Sequence, residues 1–574
     1  MPTLSFKGKT AIESHHLTVP HHVFDFDKKL SLTKKPSLDG NLIIEGDNLL
    51  ALKSLLPTHA GKVKCIYIDP PYNTGNEQWV YNDNLTQPQF KDWIGKVVGK
   101  EGEDFTRHDK WCCMMYPRLQ LLKELLRDDG AIFVSIDDNE LCNLLFLCDE
   151  VFGDNNRFAR IVVKNNPRGR RLGTELAVEH EYLVVYAKSI EKFTGGKIPL
   201  TEEQIGEYSE VAEDGRKYRL LGLRKRGALS RRVDRPNLHF AIYVDPSTGR
   251  AQTERGAGLV EVLPMLSDGS EGVWRWRTGK VDDESERLIA KQVKRRETGV
   301  VEWDVFEMDY LDESDGRLFP SIWEGSEFNN ETGTDQINEV LGKGAFAYPK
   351  PVDLVKHAIL LSGTTNGDLI LDSFAGSGTT AQAVIELNNA DSGNCRFILV
   401  QMPHETKEQE QEKFNICQKI TAERVRRVMN GYSYKNQKSK RVEVDGRGGE
   451  FAYARIGQML FDQFRNFAPG KYPSWEELAR YIFYTETTTA FDAKKLSKKT
   501  GKIGEHGKRS YYLLYEPNDK ADAALTRDWL AATHKRDPGP KVVYCEKIWM
   551  HREELDEEEK YGKVRAMVIP FNLK

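Results

Sequence analysis

One short stretch of the sequence, Asp69-Pro70-Pro71-Tyr72, contains residue types suited to activating an aromatic amine. The exocyclic amine of an aromatic base is a poor nucleophile because its lone pair is delocalised into the ring. A carboxylate and a nearby backbone carbonyl can accept its two N–H bonds, which localises the lone pair and stabilises the positive charge that develops during attack. The tyrosine offers a flat face for a base that has left its stack. We therefore predict catalytic roles for all four residues.

The element that must position this stretch is a buried strand directly before it. Cys65-Ile-Tyr-Ile68 is apolar, aromatic and β-branched, which is typical of a buried strand. The two prolines end the strand because neither can donate to a ladder. In open α/β sheets, ligands bind beyond the carboxyl ends of the strands. For Asp-Pro-Pro alone, a strand followed by an ordinary turn is the simpler interpretation.

A second stretch joins a predicted strand to a glycine-rich turn. An apolar strand that ends at Asp372 leads into Phe374-Ala-Gly-Ser-Gly378 and then into a predicted helix. The glycines let the backbone approach a ligand closely. The turn fits the pattern G-x-G-x-x-A loosely and lacks the Gly-Lys-Ser/Thr of a P-loop. On its own, such a turn is a weak signal for nucleotide binding.

Together the two motifs resemble those of the DNA amino-methyltransferases that use S-adenosyl-L-methionine. The catalytic motif comes first and the cofactor motif follows about 300 residues later, an order similar to that of the permuted beta class. The motif from Ile68 to Gly75, with Trp111–Arg118 and Phe346–Pro351, resembles the Mod subunits of type III restriction-modification systems. This resemblance covers the chain from about Asn41 to its C-terminus.

The resemblance implies a substrate, a cofactor and partners. It implies methyl transfer from S-adenosyl-L-methionine to the N6 amine of a flipped adenine in double-stranded DNA, with N4 of cytosine as the alternative target. It also implies a homodimer and a separate ATP-dependent restriction subunit. The candidate cofactor contacts are Asp47, Asn48, Asp69, Lys350, Asp372, Phe374, Ala375, Gly376, Ser377, Gly378, Thr379 and Gln401.

Three of these candidates have a second explanation or depart from the usual pattern of such sites. Asp47 and Asn48 follow a predicted strand and precede a predicted helix, so a helix N-cap explains them equally well. Gln401 ends a predicted strand where many Rossmann-like proteins place an acidic residue against the ribose. An amide can still accept one hydrogen bond and donate another.

The pattern predicts an α/β fold with a Rossmann-like methyltransferase sheet, permuted so that the catalytic half precedes the cofactor half. A helix over Tyr116–Leu126 and a strand over Ala131–Ile136 continue a parallel βαβ arrangement. By resemblance, Phe158–Val163 and Glu181–Tyr186 form an antiparallel hairpin at the sheet's edge. The predicted parts are an N-terminal extension (1–40), the catalytic half (41–187), a target-recognition domain (188–345), the cofactor half (346–431), a linker (432–449) and a C-terminal α+β domain (450–574).

Basic residues cluster in the predicted recognition domain and just before it. Arginine forks suit phosphates and guanine edges, and Trp274 and Trp276 place aromatic rings beside them. A charge run is usually only a solvated face, but several runs between the halves of a catalytic site favour DNA binding. The candidate DNA contacts are Asn73, Lys164, Arg168, Arg170, Arg171, Arg224, Lys225, Arg226, Arg231, Arg232 and Arg235.

Composition limits the possible classes of protein. The 574 residues are 39% hydrophobic and 30% charged, which indicates a soluble protein of two or three domains. The net charge of −4 gives no general support for DNA binding. The eight scattered cysteines contain no C-x-x-C pair, which argues against a zinc ribbon and fits a reducing cytoplasm. Neither a membrane span, a signal peptide nor a metal site is expected.

Other functions fit parts of the chain. The catalytic motif is chemically suited to an RNA base or a protein glutamine as well, and the chain could mainly guide a separate nuclease-helicase. With no Walker A sequence and no clear nuclease motif, the chain is not expected to hydrolyse ATP or cut DNA alone. Glu405–Asn430 is predicted to be one long charged helix, and Ser474–Glu477 a helix capping box. The region from about Phe451 is expected to contact a partner or, alternatively, to cover the sheet.

Overall fold

The structure is a computed structural model that describes most of the chain. The described residues are 4–74, 107–171, 176–294, 299–313, 316–405, 407–436, 438–461, 467, 472–516 and 523–569. The chain divides into two compact units. The insertion unit is Lys197–Leu318, and the main unit is Met1–Gly196 with Phe319–Lys574. No helix among the described residues has the length and hydrophobicity needed to cross a bilayer.

The main unit contains a ten-stranded mixed sheet. In chain order its strands are β1 (His22–Phe26), β2 (Asn41–Glu45), β3 (Val63–Ile68), β4 (Leu126–Ile136), β5 (Arg157–Lys164), β6 (His180–Ala187), β7 (Ile322–Trp323), β8 (Leu369–Asp372), β9 (Arg396–Gln401) and β10 (Phe451–Met459). Their spatial order is β1-β10-β2-β9-β8-β3-β4-β6-β5-β7. The central six strands, β10 to β4, are parallel to one another.

The edges of this sheet are antiparallel. Strand β1 pairs antiparallel with β10, and β6 pairs antiparallel with both β4 and β5. The two strands expected near residues 158–163 and 181–186 are therefore present and paired as the resemblance implied. The short strand β7 adds in parallel to β5.

Helices cover both faces of the sheet. They are α1 (Asn48–His59), α2 (Arg107–Leu125), α3 (Leu141–Phe152), α4 (Asn330–Leu341), α5 (Val352–Leu361), α6 (Thr379–Asp391), α7 (Glu423–Asn430) and, further along, α8 (Trp475–Thr487). The first three pack on one face and α4 to α7 on the other. Alternate strand residues supply the two cores: Ile66 and Ile68 face one, and Cys65 and Tyr67 the other. Because both faces are covered, every residue of β3 is buried.

Some local predictions were wrong. The long helix expected over Glu405–Asn430 is broken: Lys413 has a left-handed φ of 52°, and a π-helical stretch precedes α7. Residues expected to form a linker instead form an antiparallel pair, Gly431–Lys435 with Arg441–Asp445. Both predictions were drawn from polar composition. The conformation of these residues depends instead on backbone hydrogen bonds, which composition does not show.

The two ends of the chain also contribute to the main sheet. Strand β10, which was assigned to the C-terminal domain, pairs with β2, and the N-terminal extension supplies β1 beyond it. The extension thus covers an edge that would otherwise present unpaired backbone groups.

Beyond β10 the chain forms a smaller α/β domain within the main unit. Strands Arg509–Leu514, Lys541–Cys545 and Val564–Val568 are parallel, and Lys502–His506 adds antiparallel at the edge. Helix α8 covers this sheet and also packs on α1. The Tyr484 hydroxyl donates to Glu124 over 2.8 Å, so this domain is fixed to α2 as well.

The insertion unit consists mainly of strands. A four-stranded sheet contains Glu210–Val211, Lys217–Gly222, Leu288–Lys294 and Val301–Tyr310. A three-stranded sheet contains Ile242–Val244, Ala251–Gln252 and Val260–Val262. Trp274 and Trp276 are 0% and 5% exposed and belong to the core of this unit. The prediction that they accompany the basic residues at a DNA surface is therefore wrong, because the apolar bulk of indole favours burial.

The capping box of α8 generates a stability prediction. The Ser474 hydroxyl accepts from the Glu477 backbone N–H, and the Glu477 carboxylate accepts from the Ser474 N–H over 2.7 Å. We expect Ser474→Ala to lower the free energy of unfolding of this domain by about 1 kcal/mol, because one N–H loses its acceptor. Denaturant unfolding followed by circular dichroism measures the loss. The control, Glu476→Ala in the same turn, keeps both bonds; equal effects of the two variants would contradict the prediction.

Candidate active site

The candidate active site lies where parallel strands of the main sheet end. Strand β3 is the neighbour of β8, with Cys65 beside Ile370 and Ile66 beside Leu371. Strands β9 and β2 follow on the other side of β8. The loops after these four strands therefore leave the same edge of the sheet, as ligand-binding loops do in open α/β folds. This edge brings together Asp69, the turn after Asp372, Gln401 and Asp47.

The loop after β3 is held from behind by α2. The indole N–H of Trp111, which is fully buried, donates to the Pro71 carbonyl over 2.7 Å. Asn73 has a left-handed φ of 59°, a conformation that asparagine tolerates better than most residues. Its buried side chain donates to Glu140 and, over 3.2 Å, to the Arg107 carbonyl. The structure thus places Asn73 in an internal network.

Asp69 is joined to Lys350 from the start of α5. The Lys350 ammonium lies 2.8 Å from each oxygen of the Asp69 carboxylate. The same ammonium lies 4.8 Å from the centre of the Tyr72 ring and 3.8 Å from Oε2 of Glu181. The Tyr72 hydroxyl donates to that Glu181 oxygen over 3.0 Å. Four charged or polar groups from three distant segments thus form one cluster.

Burial and charge act against each other in this cluster. Burial raises the pKa of the Glu181 carboxyl, against the opposing effect of the Lys350 ammonium. Burial by itself lowers the pKa of Lys350, but the carboxylates of Asp69 and Glu181 reverse the direction and raise it. Burial, followed by the charge of Asp69, raises the pKa of Tyr72. Lys350 is therefore charged and Tyr72 neutral at pH 7, so the cluster holds a cation against its carboxylates.

The turn after β8 is fixed by side chains on either side of it. Asp372 accepts from the Phe374 N–H over 3.0 Å and from the Thr380 hydroxyl over 2.5 Å. The Gly376 N–H donates to Oε1 of Gln401 over 2.6 Å. Gln401 thus supports the turn. The sequence predicted only a contact between Gln401 and the ribose of the cofactor.

The two glycines of this turn have left-handed backbones, with φ of 50° at Gly376 and 79° at Gly378. A Cβ on Gly378 would lie 3.2 Å from the Thr421 carbonyl oxygen. The sequence argument assigned the glycines to close approach of a ligand. The structure adds a second reason, which is backbone strain and crowding by the protein itself.

A buried arginine holds the far side of the turn. Arg424 of α7 is 0% exposed and donates to the hydroxyls of Ser377 and Thr379, each over 2.8 Å. Its Nε donates to Gln382 over 2.8 Å. Burial lowers the pKa of Arg424 to about 10. The guanidinium therefore connects the turn to the first residues of α6.

Asp47 and Asn48 are held by Arg118 of α2, and Asn48 also connects them to the residue that follows β8. Asp47 caps α1 by accepting from the Leu49 N–H over 2.7 Å, and it also accepts from Arg118 over 3.1 Å. Asn48 accepts from Arg118 over 2.5 Å and donates to the Ser373 carbonyl over 2.8 Å. Both interpretations given for Asp47 are compatible with this geometry, since the cap uses only part of its carboxylate.

The donor set at this edge fits a nucleoside cofactor that carries an amino acid. Ser373 Oγ is buried and has no hydrogen-bond partner among the described residues. Gln401 also donates to Glu405 over 2.9 Å, and burial raises the pKa of that carboxyl to about 7. These groups offer acceptors and donors for ribose hydroxyls, and the Phe374 ring offers an apolar wall. The described part of the chain contains no group of three or more His, Cys, Asp or Glu side chains arranged for a metal ion.

The basic candidates for DNA contact divide into paired and unpaired residues. Arg224, Arg231 and Arg232 form ion pairs with Asp304, Asp268 and Glu271. Lys164 and Arg168 pair with Glu179 and Glu331. The side chains of Arg170 and Arg171 lie outside the described residues. Within the described ranges, no ion pair involves Lys225, Arg226 or Arg235.

The structure also shows residues that the sequence reasoning missed. Glu181 was noted only as the start of a strand, and Glu405 only as the start of a helix. Arg424 lay in the same predicted helix without a role. The motif Trp111–Arg118 was quoted only for its resemblance, although its first and last residues hold the two loops. A charged residue in an otherwise apolar predicted strand was the available signal for Glu181.

The fold thus places the Asp69 carboxylate and the glycine-rich turn Phe374–Gly378 at one edge of an α/β sheet. The chain belongs to the DNA methylase family, whose model matches residues 63–412. This match confirms the sequence prediction at the level of the family.

Relatives support the same assignment. The chain is 34% identical over 412 residues to the EcoPI Mod subunit of a type III restriction-modification enzyme from Escherichia phage P1, a match covering 70% of this chain and 63% of that relative. It is 34% identical over 385 residues to the type II methyltransferase M.KpnI from Klebsiella pneumoniae, covering 67% and 85%. The chain thus spans less than two thirds of the phage relative.

Among solved structures, the cytosine-N4-specific PvuII DNA methyltransferase is 11% identical and covers 67% of this chain and 94% of its own. The TM-score between the two structures is 0.31.

The buried carboxyl of Asp372 generates a pH prediction. Burial raises its pKa from 3.8 to about 7, so the folded protein keeps a proton that the unfolded chain releases. This contribution to stability is present at low pH and is lost as the pH rises through about 7. We expect Asp372→Asn to gain at least about 1 kcal/mol relative to the wild type between pH 5 and pH 8.

Denaturant unfolding at the two pH values measures this change. The control is Asp353→Asn, which removes the same charge from a partly exposed carboxyl on α5. An Asp372→Asn curve that runs parallel to the wild-type curve would contradict the prediction.

Proposed function

We propose that the chain transfers a methyl group from S-adenosyl-L-methionine to the exocyclic N6 amine of adenine in duplex DNA. The observation that carries this proposal is the position of Asp69, one strand away from the turn Phe374–Gly378 at the same edge of the sheet. The family match and the two named relatives support the same reaction class.

The residues of the loop after β3 would hold the target base. Tyr72 stacks on the ring once the base has left the duplex, a step that costs roughly a few kcal/mol. Asp69 and the Pro70 carbonyl accept the N–H bonds of the amine and keep its lone pair on nitrogen. Asp69 then stabilises the positive charge on that nitrogen until the surplus proton leaves to water.

The turn after β8 and its neighbours would hold the cofactor. When bound, S-adenosyl-L-methionine supplies an electrophilic methyl carbon, and its sulfur retains the electron pair of the broken bond. Phe374, Gly376 and Gly378 form the turn against which it lies, and Asp47, Gln401 and Glu405 face its polar groups. Holding nucleophile and methyl group in line could lower the barrier by about 7–11 kcal/mol.

The target base and the acceptor class follow from one experiment. Purified protein is incubated with labelled cofactor and unmethylated DNA, RNA or protein, and the labelled DNA is sequenced for its modified base and site. We expect label in DNA at N6 of adenine within one short sequence. Label at N4 of cytosine would shift the target base, and label only in RNA or protein would overturn the proposal.

We also propose the finer architecture that the resemblance implied. The order of the two motifs is that of the permuted beta class, and the insertion unit serves as the target-recognition domain. A homodimer that binds a separate ATP-dependent restriction subunit fits the phage relative, which is named as the Mod subunit of such an enzyme. A chain whose main role is to guide that subunit remains the alternative, and the methylation assay above separates the two.

The role of Asp69 generates the first functional prediction. We expect Asp69→Asn to lower the methylation rate at least about 100-fold, because an amide cannot stabilise charge on the amine as a carboxylate does. Cofactor affinity measured by calorimetry is expected to stay within a few-fold of the wild type. Asp353→Asn on α5 is the matched control. Near wild-type methylation by Asp69→Asn would rule out the mechanism.

The division of the basic residues into paired and unpaired ones generates the second functional prediction. Arg226 and Arg235 are exposed, and among the described residues neither has an acidic partner. We expect Arg226→Ala and Arg235→Ala each to weaken DNA binding and to reduce the salt slope by about 1 where the contact is to phosphate.

Arg232→Ala serves as the control for these variants, because Arg232 is paired with Glu271 at 2.9 Å. Filter binding at several salt concentrations compares the three. Equal losses for all three, or none for any, would show that exposure and pairing do not identify the contacts.

A further inference from the structure

The Lys350 ammonium lies where the proposed target amine must bind. It contacts both oxygens of Asp69 at 2.8 Å, and it lies over the Tyr72 ring, 4.8 Å from the ring centre. These are the carboxylate and the ring face that are proposed to hold the flipped base. Lysine and base therefore compete for the same two groups.

This competition has an electrostatic consequence. Methyl transfer places positive charge on the amine nitrogen, and Asp69 stabilises that charge only while its own charge is available. An ammonium bound to both oxygens neutralises the carboxylate and repels the developing cation. The reaction therefore requires that Lys350 leave Asp69. Because Lys350 is buried, its ammonium then needs another negative group close by.

Glu181 on β6 is positioned to provide that compensation. It is 3% exposed, and its Oε2 lies 3.8 Å from the Lys350 ammonium. Burial raises the pKa of its carboxyl, and hydrogen bonds from the side chains of Tyr72 and Asn165 act in the opposite direction, towards the charged form. The two groups already form a long ion pair at 3.8 Å, and a shift of the flexible lysine stem would shorten it to the 2.8 Å that Lys350 now has to Asp69.

We propose that Glu181 is a positioning residue that receives the Lys350 ammonium when the target amine takes its place on Asp69. The proposal rests on the proposed function and adds a residue to its site. In the absence of a base, Lys350 neutralises Asp69 and shields the Tyr72 face. When the base enters, the same lysine is held by Glu181, and Asp69 is free to act on the amine.

A simpler role for Glu181 is to anchor Tyr72, whose hydroxyl donates to it over 3.0 Å. The two roles predict opposite results when Lys350 is also removed. If Glu181 only anchors Tyr72, loss of the lysine cannot repair loss of the glutamate. If Glu181 receives the lysine, removing the lysine removes the need for a receiver.

The test compares Glu181→Gln, Lys350→Met and the double variant with the wild type. The probe is a duplex that carries the mapped site with 2-aminopurine in place of the target base, whose fluorescence reports flipping. The same site with its natural base is used for single-turnover methylation, with cofactor at saturation as set by calorimetry for each variant.

We expect Glu181→Gln to lower both the flipped fraction and the single-turnover rate about 10-fold or more, because Lys350 then stays on Asp69. Duplex affinity should change little. Adding Lys350→Met to Glu181→Gln should recover at least about 5-fold of the flipping signal and part of the rate. A double variant no better than Glu181→Gln in flipping would overturn the proposal.

The matched controls are Lys356→Met and Glu386→Gln, which remove the same charges from an ion pair outside the site. They should remain within about 2-fold of the wild type in both assays. A wild-type protein that methylates no DNA would instead overturn the proposed function, so the two failures are distinguishable.

Discussion

The parallel pairing of β3 with β8 is the constraint on which the candidate site depends. The register sets Cys65 beside Ile370 and Ile66 beside Leu371, although the two strands are about 300 residues apart in sequence. Because they run in the same direction, both end at the same edge of the sheet. An antiparallel pairing would have put Asp69 and the turn after Asp372 at opposite edges. Burial on both faces makes this arrangement stable, since neither strand has a face that can be exposed to water without loss.

Two buried guanidiniums keep the loops at this edge in place. Arg118 ties Asp47 and Asn48 to α2, and Arg424 ties Ser377 and Thr379 to α7. A planar fork with several donors is suited to bridging loops from different strands. These bridges hold the cofactor turn in shape before any ligand arrives, which reduces the reorganisation that binding requires.

Arginines of the insertion unit also form ion pairs. Three of the five candidate arginines in this unit are paired with acids of the same unit, as Arg232 is with Glu271. Such pairs at the surface contribute little stability, but they reduce the free positive charge that a phosphate backbone would meet. The number of arginines therefore overstates the charge available for DNA, and exposed residues such as Arg226, which forms no ion pair with the described residues, are better candidates.

The sequence by itself determined the strands that precede the two motifs, the motifs themselves and the reaction class, because these depend on local hydrophobic pattern and on residue types at short spacing. It identified Asp69 and the turn Phe374–Gly378, and it named Lys350 without its partner. Only the tertiary structure decided that Lys350 contacts Asp69, 281 residues away, and that Glu181 belongs to the same cluster. It also decided that β1 pairs with β10 and that Trp274 lies in a core. The physical reason is common to all of these: a contact between distant segments depends on how the strands and helices pack, and no local pattern of residues records it.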